Sequence, residues 1–215
     1  LLLQIDGDGR IGAALGVVPR ITIAHANAPT ALAHVQAGRI DGLAAYLARF
    51  AGELQAAGAT FGAIPAITPH ICRAELKALS DLPLVDILEV TAQLLRQRSF
   101  SRVALFGTRY TIESRLFGAL DDIDIILPRE PEVDEVHRIY LELAQQGRCT
   151  AEDEARLREI ATTLCQRDRV EAIVLAGTDL NLIMNETTAG FPAVDCAAAH
   201  IAAIVEEMCR TTVQP

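Results

Sequence analysis

The sequence lacks tryptophan and is poor in other aromatic residues, with six phenylalanines and three tyrosines in 215 residues. It therefore offers few rings on which nucleic-acid bases could stack. Basic residues are in the minority: 19 Lys and Arg against 28 Asp and Glu give a net charge of −9. The densest basic stretch is Arg-Gln-Arg at residues 96–98. We therefore expect neither a nucleic acid nor an anionic membrane surface as a partner.

Long apolar runs and paired cysteines are missing as well. No run approaches the roughly 20 apolar residues that span a bilayer. The five cysteines include no CxxC pair, so we expect neither a disulfide framework nor a cysteine-rich zinc site. There is no P-loop or HExxH motif to indicate a nucleotide or a metal. Free thiols in a reducing cytoplasm are the expectation.

What the sequence does contain is 51% apolar residues against 22% charged residues, a balance that supports a sizeable core. Segments typical of strands alternate with segments typical of helices, which predicts the α/β class with parallel sheets and helical crossovers. The predicted strands are 20–25, 61–67, 84–88, 102–106, 123–127, 172–176 and 193–195. The predicted helices are 40–57, 69–78, 90–97, 110–120, 132–145, 150–166 and 197–209.

Four predicted strands end in small or hydroxyl-bearing residues before a helix. Ligands of parallel sheets bind outside the carboxyl ends of the strands, where helix N-termini and hydroxyls could hold a carboxylate or phosphate. The alternative is that each threonine only caps its own helix. The four ends are Ala66-Ile-Thr-Pro-His70, Gly107-Thr-Arg-Tyr-Thr111, Gly177-Thr-Asp179 and Asp195-Cys196.

Three side chains at these ends are candidates for acid–base chemistry. Asp179 could act as a general base if it is partly desolvated, or it could cap the turn that follows. His70 could polarise a substrate, or it could hold its loop by bonding to the backbone. Cys196 is the one thiol at a predicted strand end and so the candidate reactive cysteine; the alternative is a buried, inert thiol.

Four segments of the chain are similar to segments of the aspartate/glutamate racemase superfamily, the cofactor-independent amino-acid racemases and their relatives. Residues 102–113, Arg-Val-Ala-Leu-Phe-Gly-Thr-Arg-Tyr-Thr-Ile-Glu, resemble the start of that family's second lobe. Pro65-Ala-Ile-Thr-Pro-His70 resembles its Cys-Asn-Thr-Ala-His segment. Leu175-Ala-Gly-Thr-Asp-Leu180 resembles its Gly-Cys-Thr-Glu-Leu segment, and Pro192-Ala-Val-Asp195 with His200 resembles its closing strand and helix. The resemblance spans nearly the whole chain.

This resemblance implies two pseudo-symmetric, parallel-sheet α/β lobes with the ligand site between them. The first lobe would comprise residues 1–98 and 190–215, and the second residues 99–189. The resemblance also implies a small carboxylate or amino-acid-like ligand, no cofactor such as pyridoxal phosphate, and a homodimer. The residues that it assigns to substrate binding are Asn27, Thr68, Gly107, Thr108, Tyr110, Thr111 and Thr178.

The chemistry departs from the family pattern. Racemases of this family use two cysteines, one on each face of the substrate's α-carbon, and the resemblance places these at Ala66 and Gly177. The family's asparagine is replaced by Ile67. We expect Gly177 to enlarge the pocket and Ala66 to make its wall apolar, as suits a ligand bulkier or less polar than aspartate.

Two functions follow from this departure. The first is an isomerase or lyase that acts on a small carboxylate without the two-cysteine mechanism, with Asp179, His70 or Cys196 as the acid–base group. The second is a non-catalytic carboxylate binder, serving as a sensor or a partner subunit.

The start of the chain also departs from the family. Residues 1–6 resemble the helix that follows the family's opening strand and loop. We therefore expect the native chain to be longer by about 15–25 residues, the usual length of one strand and its loop.

Overall fold

The computed structural model describes residues 20–212, which form two compact α/β units. Of the described residues, one unit comprises 20–64, Pro69–Asp86 and 200–212; the other comprises Pro65–Thr68 and Ile87–Ala199. The units divide at other residues than the lobes that the resemblance implies. The segment at residues 1–6 lies outside the described residues.

The first unit contains a two-stranded parallel sheet and helices around it. Its strands β1 (Gly62–Ala63) and β2 (Leu84–Val85) pair with Gly62 opposite Leu84 and Ala63 opposite Val85. The unit's complete helices are α1 (Ala28–Gln36), α2 (Ile40–Ala56) and α3 (Arg73–Leu79), the last preceded by a 3₁₀ helix over Thr68–Cys72. Its cores are clusters of small and medium apolar side chains from α1, α2, the 3₁₀ helix and α3, and from the end of the chain.

The second unit contains four parallel strands in the order β4-β3-β5-β6. These are β3 (Arg102–Phe106), β4 (Asp124–Ile126), β5 (Ala172–Leu175) and β6 (Ala193–Asp195). The central strands read Val-Ala-Leu-Phe and Ala-Ile-Val-Leu and are buried throughout. Continuous apolar runs of this kind are typical of parallel strands covered on both faces.

The helices of the second unit cover this sheet. They are α4 (Ile87–Gln97), α5 (Arg109–Glu113), α6 (Glu130–Gln146), α7 (Ala151–Arg167) and the start of α8 (Cys196–Thr212), with 3₁₀ helices at Leu116–Gly118 and Thr178–Leu182. Helix α6 buries four apolar residues at spacings of three and four, which lie on one face of a helix. These residues are Val133, Val136, Ile139 and Leu143.

The α/β class with parallel sheets is confirmed, and four predicted elements are wrong, among them the strand 84–88, which shrinks to Leu84–Val85. Residues 20–27 form no regular strand; Asn27 instead caps α1, a helix that the sequence analysis did not predict. The predicted helix 110–120 ends early, because Arg115 and Phe117 adopt the left-handed conformation, with φ of 51° and 56°. Such a conformation interrupts a right-handed helix. The predicted strand 61–67 shrinks to Gly62–Ala63.

Candidate functional site

The strands β3, β5 and β6 end at one edge of the four-stranded sheet, which we call the carboxyl edge. Phe106 pairs with Leu175, and Leu175 pairs with Asp195, so the residues after these strands emerge at the same level. The backbones also come close together. A Cβ on Gly107 would lie 2.6 Å from the carbonyl oxygen of Ala176, so only glycine fits at this position. The carboxyl edge thus gathers three of the four predicted strand ends in one unit.

Asp179 lies in the 3₁₀ helix that follows β5, Thr178–Leu182, which we call the β5 turn. Its carboxylate is half-buried, and Oδ2 accepts a hydrogen bond from the hydroxyl of Tyr140 at 3.0 Å. Two residues further on, the side-chain amide of Asn181 donates to the carboxylate of Asp195. The β5 turn is therefore tied to α6 on one side and to the end of β6 on the other.

Tyr140 occupies the space beside Gly177. A Cβ added to Gly177 would lie 2.7 Å from Cζ and 2.8 Å from Cδ2 of the tyrosine ring, and closer still to Cε2. Real Cβ atoms do not approach other atoms this closely, so a side chain at position 177 and this ring position exclude each other. The expectation that Gly177 enlarges the pocket is therefore wrong, because an aromatic ring fills that volume.

The hydroxyl of Tyr140 stays protonated at neutral pH. Burial raises its pKa far above the ordinary value, and the nearby charge of Asp179 raises it further. The group is thus a hydrogen-bond donor to the carboxylate. Tyr140 lies on the apolar face of α6, between Val136 and Leu143, and a tyrosine in such a stripe was the available signal for this residue.

His137 is a second polar residue that sequence reasoning missed. It lies one turn before Tyr140 on α6, and its Nδ1 accepts a hydrogen bond from the backbone N–H of Arg109 at 3.1 Å. Partial burial, with the charge of Arg109 beside it, lowers the pKa of His137. Helix α6 therefore contacts both the β5 turn and the loop after β3.

Thr108 and Thr178, at the carboxyl edge, make hydrogen bonds within the fold. Thr108 Oγ1 caps α5 by accepting from the backbone N–H of Thr111 at 3.1 Å, and the two hydroxyls lie 2.9 Å apart. Thr178 Oγ1 donates to the carbonyl oxygen of Pro65 at 3.4 Å. The bond of Thr108 matches the alternative in which a threonine caps its own helix, whereas Thr178 caps no helix and bonds to a residue far along the chain.

The remaining predicted binding residues lie on other elements. Tyr110, on α5, is 45% exposed, and Thr68 is half-buried at the start of its 3₁₀ helix. Asn27 belongs to the first unit, where its Oδ1 accepts from the backbone N–H and the hydroxyl of Thr30, each at 2.9 Å. Ala66 lies next to Pro65 and is half-buried.

His70 belongs to the first unit and is only 4% exposed. Its Nε2 lies 3.8 Å from Oδ1 of Asp86, and His200 donates from Nε2 to the carbonyl oxygen of Val85 at 2.7 Å. Burial lowers the pKa of His200, and the neighbouring His70 lowers it further. This buried arrangement fits the structural alternative for His70.

The surroundings of Cys196 do not suit a reactive cysteine. The residue is completely buried, and burial raises the pKa of its thiol to about 12. A buried, protonated thiol is a poor nucleophile and a poor base. The alternative of an inert thiol is therefore the one that the structure supports. Asp195, immediately before it, caps α8 by accepting from the backbone N–H of Ala197 and of Ala198, at 2.9 and 3.0 Å.

Within residues 20–212, no cluster of three or more His, Cys, Asp or Glu side chains is arranged to hold a metal ion. In the same part of the chain, no helix combines the length and apolarity that crossing a membrane requires.

Comparison with known proteins identifies the class of protein that this fold and site belong to. A family profile described as Asp/Glu/hydantoin racemase matches residues 12–204. The chain therefore belongs to that family, as the four resembling segments predicted.

Solved structures agree with this assignment at the level of the fold. A protein from Yersinia pestis assigned to the Asp/Glu racemases superposes with a TM-score of 0.81 at 24% identity, covering 96% of this chain and 92% of that one. An aspartate racemase homologue from Pyrococcus horikoshii OT3 gives 0.76 at 20% identity, covering 96% and 93%. Glutamate racemase from Francisella tularensis, in complex with D-glutamate, gives 0.60 at 12% identity, covering 97% and 77%.

Proposed function

We propose that this protein is an enzyme of the racemase family that carries out isomerase- or lyase-type acid–base chemistry on a small carboxylate or amino-acid-like substrate. Asp179 is the acid–base group in this proposal. The observation that carries it is the position of the Asp179 carboxylate, half-buried at the carboxyl edge and held there by Tyr140. Of the three candidates from the sequence, it is the one that combines partial exposure with this edge.

The geometry favours a carboxylate as proton acceptor and donor over a thiol. The positions that the resemblance assigns to cysteines carry Ala66 and Gly177, which move no proton. His70 and Cys196 are buried, with 4% and 0% exposure. Asp179 retains lone pairs beyond the one that accepts from Tyr140, because an ionised carboxylate has about four acceptor positions.

The proposed step breaks a C–H bond next to the substrate's carboxylate. The proton moves to Asp179 and the electron pair stays on the substrate, delocalised toward its carboxylate. The proton on Asp179 exchanges with solvent and then returns to that carbon, or a proton is delivered to another carbon of the delocalised anion. Either return regenerates the ionised Asp179, so the cycle needs no oxidant and no second reactant. Decarboxylation differs only in that carbon dioxide leaves first and Asp179, protonated beforehand from solvent, supplies the proton.

The ligand class follows from the family and from the volume beside Gly177. The ring of Tyr140 fills that volume, so the site gives no extra room for a large substituent there. D-Glutamate, the ligand named for the Francisella protein, is an amino acid of the size we propose. We further propose a homodimer, as the resemblance implies, and a cytoplasmic location, as the unpaired cysteines favour.

Deuterium exchange at the α-carbon tests this function. The full chain is incubated in D₂O with both enantiomers of aspartate and glutamate and with malonate, and each Cα–H signal is followed by NMR. We expect exchange on at least one compound, and we expect Asp179→Asn to slow it by about 10²–10⁴-fold, the range for an acid–base group. Asp121→Asn, an exposed aspartate of the same unit, is the matched control and leaves the rate unchanged.

Two results would count against the proposal. Exchange that survives Asp179→Asn removes Asp179 from the chemistry. Absence of exchange on every compound, together with a ligand-induced rise in melting temperature, favours the second candidate, a non-catalytic carboxylate binder. The observation that favours this second candidate is that the positions assigned to the two cysteines carry Ala66 and Gly177, neither of which can move a proton.

A further inference from the structure

We propose that Tyr140 is the positioning residue for Asp179 and that Gly177 is the residue that makes room for it. The tyrosine ring occupies the volume next to Gly177, and its hydroxyl holds the Asp179 carboxylate. The inference rests on the proposed function, in which Asp179 moves the proton, and it names the residues that set up that group.

The ring is fixed by the packing of α6. Tyr140 packs against the core of the second unit, to which its helix neighbours Val136, Ile139 and Leu143 also belong. A Cβ at position 177 would lie within 2.8 Å of ring atoms Cζ and Cδ2. Because α6 is anchored by these apolar contacts, the ring cannot simply swing aside for a larger residue.

The hydroxyl selects one geometry of the carboxylate. Its hydrogen bond to Oδ2 is 3.0 Å long, which directs the other oxygen of Asp179 away from the tyrosine. Asn181, bonded to the buried Asp195, fixes the far end of the same turn. The carboxylate is thus held by Tyr140, and the turn that carries it is held at its other end by Asn181. A group that must meet a substrate carbon in one orientation needs such positioning.

Tyr140 keeps its own proton throughout the step. Burial and the charge of Asp179 both favour the neutral phenol, as described above. The substrate's proton therefore goes to Asp179, and Tyr140 only stabilises the ionised carboxylate before transfer and after return. This makes Tyr140 a positioning residue, and its removal affects the reaction through Asp179.

The hydroxyl is tested by Tyr140→Phe, which retains the ring. We expect deuterium exchange to slow by about 10- to 100-fold, the range for one hydrogen bond to a charged group. We also expect the loss to fall on the maximal exchange rate and to leave KM unchanged, because the hydroxyl bonds to Asp179 and not to the substrate. A purely structural tyrosine would leave the rate per folded molecule unchanged.

The pairing is tested without any substrate. NMR of protein labelled at tyrosine Cζ follows the ionisation of each phenol between pH 8 and pH 12. We expect Tyr140 to resist ionisation in the unaltered chain and to ionise at lower pH in Asp179→Asn, with Tyr46, in the first unit, unchanged. The three tyrosines of the chain make assignment by Tyr→Phe variants direct.

The ring is tested by a double-mutant cycle measured as urea midpoints. Gly177→Ala alone and Tyr140→Ala alone should each lower the midpoint, whereas the double variant should recover part of the loss, because the methyl group then enters the vacated volume. Additive losses would overturn the matched pair. If Tyr140 ionises identically with and without Asp179, the positioning role is overturned.

The two proposals fail in different ways. An intact Tyr140–Asp179 pair in a chain that exchanges none of the compounds contradicts the proposed function and leaves the pairing established. Exchange that Asp179→Asn abolishes but Tyr140→Phe leaves unchanged in maximal rate supports the function and overturns the positioning role.

Discussion

The carboxyl edge carries two aspartates, and they are held in different ways. Asp195, at the end of β6, is 2% exposed and accepts from two backbone N–H groups of α8 and from the amide of Asn181. Asp179, in the β5 turn, is half-buried and accepts from one phenol. The Asp195 carboxylate is used in hydrogen bonds that hold the fold together. The Asp179 carboxylate is partly exposed and can accept further hydrogen bonds.

The difference shows that the reactivity of a side chain is set by its hydrogen-bond partners and its exposure. Both aspartates follow a parallel strand at the same edge, where ligands of such sheets bind. The same contrast separates Cys196, whose buried thiol has a pKa of about 12, from a thiol that could react. A position at the end of a parallel strand therefore makes a residue a candidate for chemistry. Its burial and its hydrogen-bond partners decide whether it can take part.

The largest expected effect comes from removing the Asp195 carboxylate. Asp195→Ala deprives α8 of its cap and leaves the amide of Asn181 without its acceptor, so we expect the free energy of unfolding to fall by about 2–4 kcal/mol. Asp179→Ala should cost about 1 kcal/mol, the value of one hydrogen bond. Urea denaturation of the two variants measures both, and equal losses would break the comparison.

The next effect concerns the close approach of the two central strand ends. Gly107→Ala places a methyl carbon against the carbonyl oxygen of Ala176, at 2.6 Å before relaxation. Since the obstacle is backbone in the middle of the sheet, we expect a loss of about 1–3 kcal/mol in stability. Gly52→Ala, at a helical glycine where a Cβ meets nothing within 4 Å, is the control and should not destabilise the chain.

A smaller effect decides on which side of the comparison the end of β3 falls. Thr108→Ala removes the cap of α5 and should cost about 1 kcal/mol, whereas Thr108→Ser retains the hydroxyl and the stability. Thermal unfolding of the two variants checks this. A fold that is unaffected by Thr108→Ala would place this hydroxyl with Asp179, among the groups that are available to a ligand.

The smallest expected effect concerns His200 on α8, which is buried like Asp195. Because burial lowers its pKa below the ordinary 6.5, the unfolded chain binds a proton there more readily. This contribution to stability is fully present above about pH 6.5 and is lost as the pH falls toward the folded-state pKa of His200, by less than about 1.4 kcal/mol per pH unit. The groups facing it are His70 and Asp86.

Urea denaturation at several pH values between 7.5 and 5 measures this slope. His200→Gln should flatten it, because the substituted residue does not titrate. A slope that is the same in His200→Gln would assign the acid sensitivity to other groups.

Much of the fold could be predicted from the sequence because its signals are local. The strands 102–106 and 193–195 were predicted with the bounds that the structure has, since apolar runs next to glycine or a cap define them. The end of α5 could not be predicted, because left-handed conformations at Arg115 and Phe117 carry no residue signal of the kind glycine gives.

The candidate site was predicted only in part. Asp179 was identified by its position after a strand, which is a sequence property. Tyr140 was not, because its role depends on α6 bringing the ring across to Gly177, a contact between residues 37 positions apart. The same holds for the error about pocket size: a glycine indicates that a side chain is absent, and only the tertiary contact shows what fills the space.

The overlap between position 177 and the ring of Tyr140 also constrains how this chain can change. A chain that gains a side chain at 177 while the tyrosine is present passes through an overpacked intermediate, whereas one that loses the ring first passes through a merely underpacked one. The order of the two substitutions therefore matters. The accessible path from glycine to cysteine at position 177 begins with the replacement of Tyr140 on α6.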